Sequence, residues 1–118
     1  MDFKLSEELQ AIRRTTRDFA EKEIAPIAQE LDDKEEFSYT LTKRMGDLGL
    51  FGPFVPEEYG GSNVGYVGYI IAVEEIARIE GSQAATLAAG NSLGISPIYY
   101  YGNEDQKKKW LPDLCTGK

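Results

Sequence analysis

Residues that commonly catalyse reactions or bind metal ions are scarce in this 118-residue chain. Histidine is absent, which removes the most common general base, the most common metal ligand and every Ser–His or Cys–His nucleophile pair. Glu74 and Glu75 could serve as an acid and a base, but adjacent residues of a helix diverge, and Glu74 has the spacing to pair with Arg78. We therefore predict no catalytic residue and no metal site in the chain itself.

Other polar or aromatic clusters have simpler structural interpretations. The lysines of Lys107–Lys109 could bind phosphate, but three consecutive side chains fan around a helix and indicate a solvated face. The tyrosines of Tyr99–Tyr101 could stack on a ligand, although packing in a core or an interface is favoured. Cys115 has only Lys118 as a close basic neighbour, which does not indicate a reactive thiol. The segment GGSNVGYVG matches neither G-x-G-x-x-G nor a P-loop, so it predicts no cofactor site.

Composition limits the partners and the location of the protein. The net charge of −7 opposes binding to nucleic acid or to anionic membranes. The single cysteine cannot form an internal disulfide, which fits a reducing compartment, and MDFKLSEELQ lacks the basic and apolar run of a signal peptide. The uncharged stretch Gly81–Asn103 is interrupted by polar residues and a proline, unlike a transmembrane helix. These features predict a cytoplasmic protein.

The apolar pattern predicts helices along most of the chain. A long first helix should begin after the N-cap Ser6. Its apolar residues recur with helical spacing at Leu9, Ile12, Phe19, Ile24, Ile27 and Leu31. Pro26 should kink this helix or end it near Ala25, and the acidic segment DDKEEF should form a polar turn. Ser38 should cap a second, shorter helix that ends at Gly49.

A loop and a central helix should follow. The segment LFGPFVPEEYGGSNVG has the prolines and glycines of a loop, but its large apolar residues indicate that it packs against the core. A helix over Tyr66–Ile79 is apolar over more than one stripe, which indicates a central position. Ser82 should cap the next helix.

The last helix should begin at Asn103, which has the spacing of a capping box with Gln106. Trp110, Leu111 and Leu114 should form its inner face. No segment alternates with a period of two residues, so we predict no substantial sheet. The predicted fold is a single all-α domain, an up-and-down bundle of about five to six helices.

The run from Gly81 to Asn103 contains no charged side chain and is built mainly from small residues. This composition is incompatible with a solvent-facing helix and predicts burial on all sides. Small side chains allow close approach, either of another helix, which is the simpler interpretation, or of an elongated ligand in an apolar pocket. A dicarboxylate ligand would need a buried arginine or lysine, and this run has none.

The order of the segments resembles the N-terminal helical domain of the acyl-CoA dehydrogenases. The matching segments are LSEELQAIRRTTRDFAEKEIAPIA, MGDLGLFGPFVPEEYGG, AVEEIAR and GNSLGISPIYYYGNEDQKKKWLPDLCTG. VPEEYGG and PIYYYGNEDQKKKWLP are the specific ones, and the resemblance covers essentially the whole chain. It implies that residues 1–118 form the first part of a longer, three-domain flavoenzyme subunit, followed by a β domain and a C-terminal helical bundle.

The resemblance also implies an activity, the α,β-dehydrogenation of an acyl-CoA thioester with FAD. In this family a glutamate of the C-terminal bundle removes the α-proton, the β-hydride goes to the flavin, and electrons pass to an electron-transfer flavoprotein. The chain ends at CTGK, before the expected β domain, so the base and nearly all FAD contacts are expected outside it. The isolated chain should therefore be inactive, and the whole enzyme should be a homo-oligomer, a tetramer by family resemblance.

The same resemblance suggests which residues contact the substrate. In the family the helix that matches TLAAGNSLG lines the acyl-chain cavity, so Thr86, Ala89, Gly90 and Leu93 become the candidate substrate-pocket residues. Ala84 stands where glutaryl-type relatives carry an arginine for the distal carboxylate. The resemblance therefore implies a plain, uncharged acyl chain as substrate.

Two other functions stay open at this point. An acyl-CoA oxidase would use the same domain, and a non-enzymatic helical interaction module could reuse the fold without flavin. A yellow gene product about three times this length would favour an enzyme, and a colourless one the module. The isolated chain should be marginally stable and self-associate, because the Tyr66–Ile79 helix and the LFGPF loop would otherwise meet further domains.

Overall fold

The computed structural model describes all 118 residues and consists of five helices and their connecting loops. The first helix comprises α1 (Glu7–Phe19), a π-helical turn (Ala20–Ile24) and α2 (Ala25–Lys34). The second and third are α3 (Tyr39–Asp47) and α4 (Gly65–Ala77). The fourth comprises α5 (Gly81–Ala89), a second π turn (Gly90–Ile95) and α6 (Ser96–Tyr101), and α7 (Glu104–Cys115) is the fifth. There is no strand, so the predicted all-α class and helix number are confirmed.

Most helix ends form as the sequence predicts. The Ser6 hydroxyl accepts the N–H of Leu9, the Ser38 hydroxyl accepts the N–H of Leu41, and Asn103 forms the capping box. Gly49 follows α3 in the left-handed conformation, with φ of 73°. The prediction that Ser82 caps α5 is wrong. The carboxylate of Glu80 accepts the N–H groups of Ser82 and Gln83 instead, because its longer side chain reaches both donors.

Each π turn is followed by a proline near the start of the next α segment. Pro26 is the second residue of α2 and Pro97 the second residue of α6. Proline has no N–H to donate and its ring collides with the carbonyl four residues before it, so it disfavours the regular α-helical hydrogen bonds at that point. Widening to π hydrogen bonds keeps the helix going past the proline. The helix does not end near Ala25, and the irregularity at Pro26 is this π turn. Part of the predicted DDKEEF turn instead belongs to α2, which ends at Lys34.

The core is organised around α4, which packs against α1 on one side and α5 on the other. The loop after α3 lies inside this core, as predicted, with its large apolar residues buried. These are Leu50, Phe51, Phe54, Val55 and Tyr59. The LFGPF segment is therefore not an outer surface, contrary to the expectation that it would meet other domains. No helix of the structure combines the length and apolar character needed to span a membrane.

Two burial predictions are wrong. Trp110 was expected on the inner face of α7, but its side chain is 50% exposed while Leu111 is fully buried. The fourth helix was expected to be buried on all sides, but only one of its faces is. Leu87 is completely buried, whereas Leu93 is 77% exposed. The uncharged face that remains open on this helix is the one that carries the candidate pocket residues.

Candidate functional site

The candidate pocket residues lie along one side of α5 and the second π turn. Thr86, Ala89, Gly90 and Leu93 have the spacing i, i+3, i+4 and i+7, which places them on one face of a helix. Thr86 and Gly90 are half-buried, and Ala89 and Leu93 are exposed. This face points away from Ala84 and Leu87, which are buried in the core.

Two of these residues line an open groove of about 260 Å³. Thr86 and Gly90 belong to one wall, together with Gly94, which the sequence did not single out. Ala89 and Leu93 do not line this groove; they form the exposed surface beside it. The remaining lining residues come from the start of α3 and the residues before it, the loop after α3, the end of the second π turn, and the end of α7 with the residues after it. They are Phe37, Tyr39, Thr42, Phe51, Ile95, Leu114, Gly117 and Lys118.

Glycines give this groove its shape. A methyl group built on Gly90 would lie 2.7 Å from Cε1 of Phe51, so the glycine lets the aromatic ring lie directly against the helix backbone. Gly94 has no atom of another element within 4 Å of the same position, so it leaves open space. Phe37 and Tyr39 form an edge-to-face pair, with ring centroids 5.0 Å apart, at the groove.

The groove is almost free of charge. Lys118 is its only charged lining residue, and its ammonium group lies 3.3 Å from a carboxylate oxygen of Asp113. The hydroxyl of Thr86 donates to the carbonyl of Ser82 at 3.0 Å, so this polar group is already satisfied. An uncharged, apolar ligand would therefore meet no unpaired charge here.

A buried amide fixes the loop that forms the groove floor. Asn91 is fully buried, and its Oδ1 accepts the N–H of Gly52 at 2.8 Å. Its Nδ2 donates to the carbonyls of Leu50 and Leu87, both at 3.1 Å. Leu50 and Gly52 flank Phe51, so one side chain holds the peptide groups on both sides of that aromatic ring. No motif or spacing along the sequence indicates this role of Asn91.

The paired acids of α4 do not form an acid–base site. Glu75 is 2% exposed and accepts two hydrogen bonds from Arg17, at 2.9 and 3.0 Å, and one from Arg78 at 3.0 Å. These bonds, that from Arg17 first, hold the pKa of the Glu75 carboxyl below its usual value although burial opposes this. The predicted Glu74–Arg78 pair is wrong, since Arg78 bonds Glu75. The arrangement stabilises the α1–α4 contact and leaves no free base.

The predicted packing of the tyrosine cluster holds for Tyr99 and Tyr100 but not for Tyr101, whose side chain is 90% exposed. Tyr99 and Tyr100 pack with Phe54, and the ammonium of Lys107 lies 5.6 Å from the centre of the Tyr99 ring. Burial raises the pKa of the Cys115 thiol to about 11. The structure contains no group of side chains arranged to hold a metal ion.

Two glycines of the glycine-rich segment allow close packing, while Gly65 at the start of α4 has open space beside it. A methyl group on Gly61 would collide with the backbone of Val55, and one on Gly68 would lie 2.8 Å from Val64. These glycines therefore serve internal packing, and their backbone is not open to a phosphate group.

The fold and the neutral groove define an all-helical domain suited to an apolar ligand. A family model described as "Acyl-CoA dehydrogenase, N-terminal domain" matches residues 6–118, and the chain belongs to this family. It is 47% identical over 117 residues to the probable acyl-CoA dehydrogenase YngJ of Bacillus subtilis, covering 99% of this chain and 31% of that protein. It is 42% identical over 118 residues to the short-chain specific acyl-CoA dehydrogenase of Clostridium acetobutylicum, covering 100% of this chain and 31% of that protein. The chain thus spans about 31% of the length of these relatives.

Solved structures share the fold closely. Butyryl-CoA dehydrogenase from Megasphaera elsdenii matches with a TM-score of 0.91 and 39% identity, over 99% of this chain and 31% of that one. A chain in a solved structure described as "Electron transferring flavoprotein of Acidaminococcus fermentans" matches with a TM-score of 0.95 and 40% identity. The match covers 99% of this chain and 31% of that one. An acyl-CoA dehydrogenase from Bacillus anthracis, solved in complex with FAD, matches with a TM-score of 0.89 and 43% identity, over 96% of this chain and 20% of that one. Relatives of this domain therefore include enzymes that bind FAD.

Proposed function

We propose that this chain is the N-terminal helical domain of an FAD-dependent acyl-CoA dehydrogenase, within a longer three-domain subunit. The enzyme would convert an acyl-CoA thioester to the 2,3-enoyl thioester, with FAD as the hydride acceptor and an electron-transfer flavoprotein as the onward acceptor. Within this reaction the chain would supply part of the acyl-chain wall, from Thr86, Ala89, Gly90 and Leu93. The catalytic base and the FAD contacts would come from other parts of the subunit, and the subunits would form a homotetramer.

The observation that carries this proposal is the uncharged face of the fourth helix. It stays open to solvent although it is built from Thr86, Ala89, Gly90 and the 77% exposed Leu93. An exposed apolar face indicates a surface that another group covers in the working molecule. Small side chains leave space for a narrow ligand, and the neutral lining favours a plain acyl chain over a dicarboxylate.

The first experiment is to express the full-length gene product and add acyl-CoA thioesters without oxygen. Loss of the visible flavin absorbance, with formation of the enoyl thioester, is the expected result. A colourless product that reduces no acceptor would refute the proposal and favour a helical interaction module. In a parallel assay in air, consumption of oxygen at the rate of thioester oxidation would identify an acyl-CoA oxidase, which the same domain could also serve.

The second experiment tests whether Ala89 contacts the acyl chain of the substrate. A full-length Ala89→Trp variant should lose kcat/KM for longer acyl groups by about tenfold or more, because a pocket that excludes one methylene discriminates on that scale. Ala25→Trp, at an exposed position of α2 that does not line the groove, is the matched control. Equal kcat/KM values for all acyl lengths in the Ala89 variant and the native enzyme would remove Ala89 from the pocket.

A further inference from the structure

We propose that Phe51 is a specificity-determining residue, which sets the depth of the acyl groove and so the size of the acyl group that fits. This inference rests on the proposed function and adds a residue to it that lies outside the fourth helix. Phe51 lines the groove and is only 5% exposed. A small part of the residue therefore borders the groove while most of it is packed in the core.

The position of the ring is fixed from below by the fourth helix. Cε1 of Phe51 would lie 2.7 Å from a methyl group on Gly90, so no side chain at position 90 could separate the ring from the helix. The Phe51 ring cannot move closer to the fourth helix, because it already packs against the helix at Gly90. The floor of the groove is thus a rigid aromatic surface, and its depth does not adapt to a longer ligand.

The position of the ring is fixed from the sides by Asn91, which we assign as its positioning residue. The amide bonds the carbonyl of Leu50 at 3.1 Å and the N–H of Gly52 at 2.8 Å. Both bonds lie in the buried interior, where a lost partner leaves an unsatisfied polar group. The loop can move away from the helix only by breaking both. Asn91 therefore holds the backbone on each side of Phe51 in one place.

The direct test changes the size of the floor residue in the full-length enzyme. The measured ratio is kcat/KM for an acyl group one or two methylenes longer than the preferred one, divided by kcat/KM for the preferred one. Phe51→Leu should raise this ratio by roughly tenfold, and Phe51→Trp should lower it. A ratio between two substrates does not depend on how much of the enzyme is folded, so a loss of stability alone does not change it. Phe54→Leu, at a buried phenylalanine that does not line the groove, should leave the ratio unchanged.

A second pair of variants tests the groove without touching the core. Gly94 lines the groove and Gly81 lies outside it, and neither has a neighbouring atom within 4 Å of an added methyl group. Gly94→Leu should narrow the groove and lower kcat/KM for the longer acyl group about tenfold. Gly81→Leu should not change the ratio. Both variants should fold, since each replaces a glycine by a better helix former in open space.

The positioning role of Asn91 has its own readout. Asn91→Asp keeps the size of the side chain but removes both donor hydrogens, so the loop should loosen and discrimination between acyl lengths should weaken. A structural role alone would lower the activity on all acyl lengths by one factor. Unchanged ratios in the Phe51 and Gly94 variants of an active enzyme would overturn this inference and leave the proposed function standing. A full-length protein that neither oxidises nor binds acyl-CoA or its inert thioether analogues would refute both.

Discussion

Replacing Glu75 by glutamine should destabilise the protein by about 2–3 kcal/mol. The carboxylate is 2% exposed and accepts three hydrogen bonds from Arg17 and Arg78. Breaking a buried ion pair typically costs about 3–5 kcal/mol. The cost should be smaller here, because the side chains of Arg17 and Arg78 are 46% and 49% exposed and can be hydrated when the carboxylate is gone. This is a large part of the 5–15 kcal/mol that stabilises a typical domain.

The assay is urea unfolding followed by far-ultraviolet circular dichroism, with Glu74→Gln as the matched control. Glu74 is exposed and makes no side-chain hydrogen bond or salt bridge, so its substitution should stay within about 0.5 kcal/mol. Bonding to Arg17 holds the pKa of Glu75 below 4.5 in the folded state. Its stabilisation is therefore present above pH 4.5 and is lost as the pH falls through the lower folded pKa.

The difference between native protein and Glu75→Gln should accordingly be constant near neutral pH and shrink in acid. A difference below about 0.5 kcal/mol at pH 7 would show that the buried cluster contributes no net stability. A difference that persists unchanged at pH values low enough to protonate the folded carboxyl would also refute the reasoning, because the cause would then be packing and not charge. An altered urea dependence of the unfolding free energy would indicate a change in the unfolded state.

Two further predictions concern the surface and the single thiol. Cys115 is 2% exposed, and burial raises its thiol pKa to about 11. A thiol reagent should therefore label it at neutral pH only in denaturant. Rapid labelling of the folded chain would contradict the packing of α7. Val67 and Ile70 of α4 are 53% and 57% exposed, so the 118-residue chain should self-associate in sedimentation experiments. Ile70→Lys should shift it towards monomer without loss of helicity, and a native chain that is monomeric at high concentration would show that this face is not adhesive.

The sequence predicts the helix ends well because their contacts are local. The caps at Ser6, Ser38 and Asn103 join groups three residues apart, so spacing alone identifies them. The failure at Ser82 has a local cause too. Its hydroxyl donates to Glu80 at 2.7 Å, and a carboxylate with two acceptor oxygens satisfies the helix start better than the shorter serine.

Long-range pairing could not be predicted in the same way. Spacing along α4 suggests a Glu74–Arg78 pair because residues four apart are neighbours on a helix. The fold decides otherwise, because Glu75 faces α1 and meets Arg17, which lies 58 residues away in the sequence. Arg78 then bonds the same buried carboxylate. No local pattern shows which of two adjacent glutamates faces a helix that packs only in the finished fold.

The groove lining differs from the candidate residues for a related reason, since a π turn changes the register of the fourth helix. Each π hydrogen bond spans one residue more than an α bond, so a turn holds more residues and positions four apart align more closely along the helix. Thr86, Gly90 and Gly94 therefore line the groove together. A constant α-helical period would instead have favoured Leu93, which the structure places outside it.

Proline is a necessary clue to these turns but not a sufficient one. Pro26 and Pro97 each follow a π turn, whereas Pro112 lies inside α7 with no π turn before it. The difference at the fourth helix is Asn91, whose Nδ2 bonds the carbonyl of Leu87 at 3.1 Å while its other bonds attach the turn to the loop after α3. One buried amide thus connects the second π turn to the loop that carries Phe51. A sequence pattern along the helix shows neither contact, because Leu50 and Gly52 come from a different part of the chain.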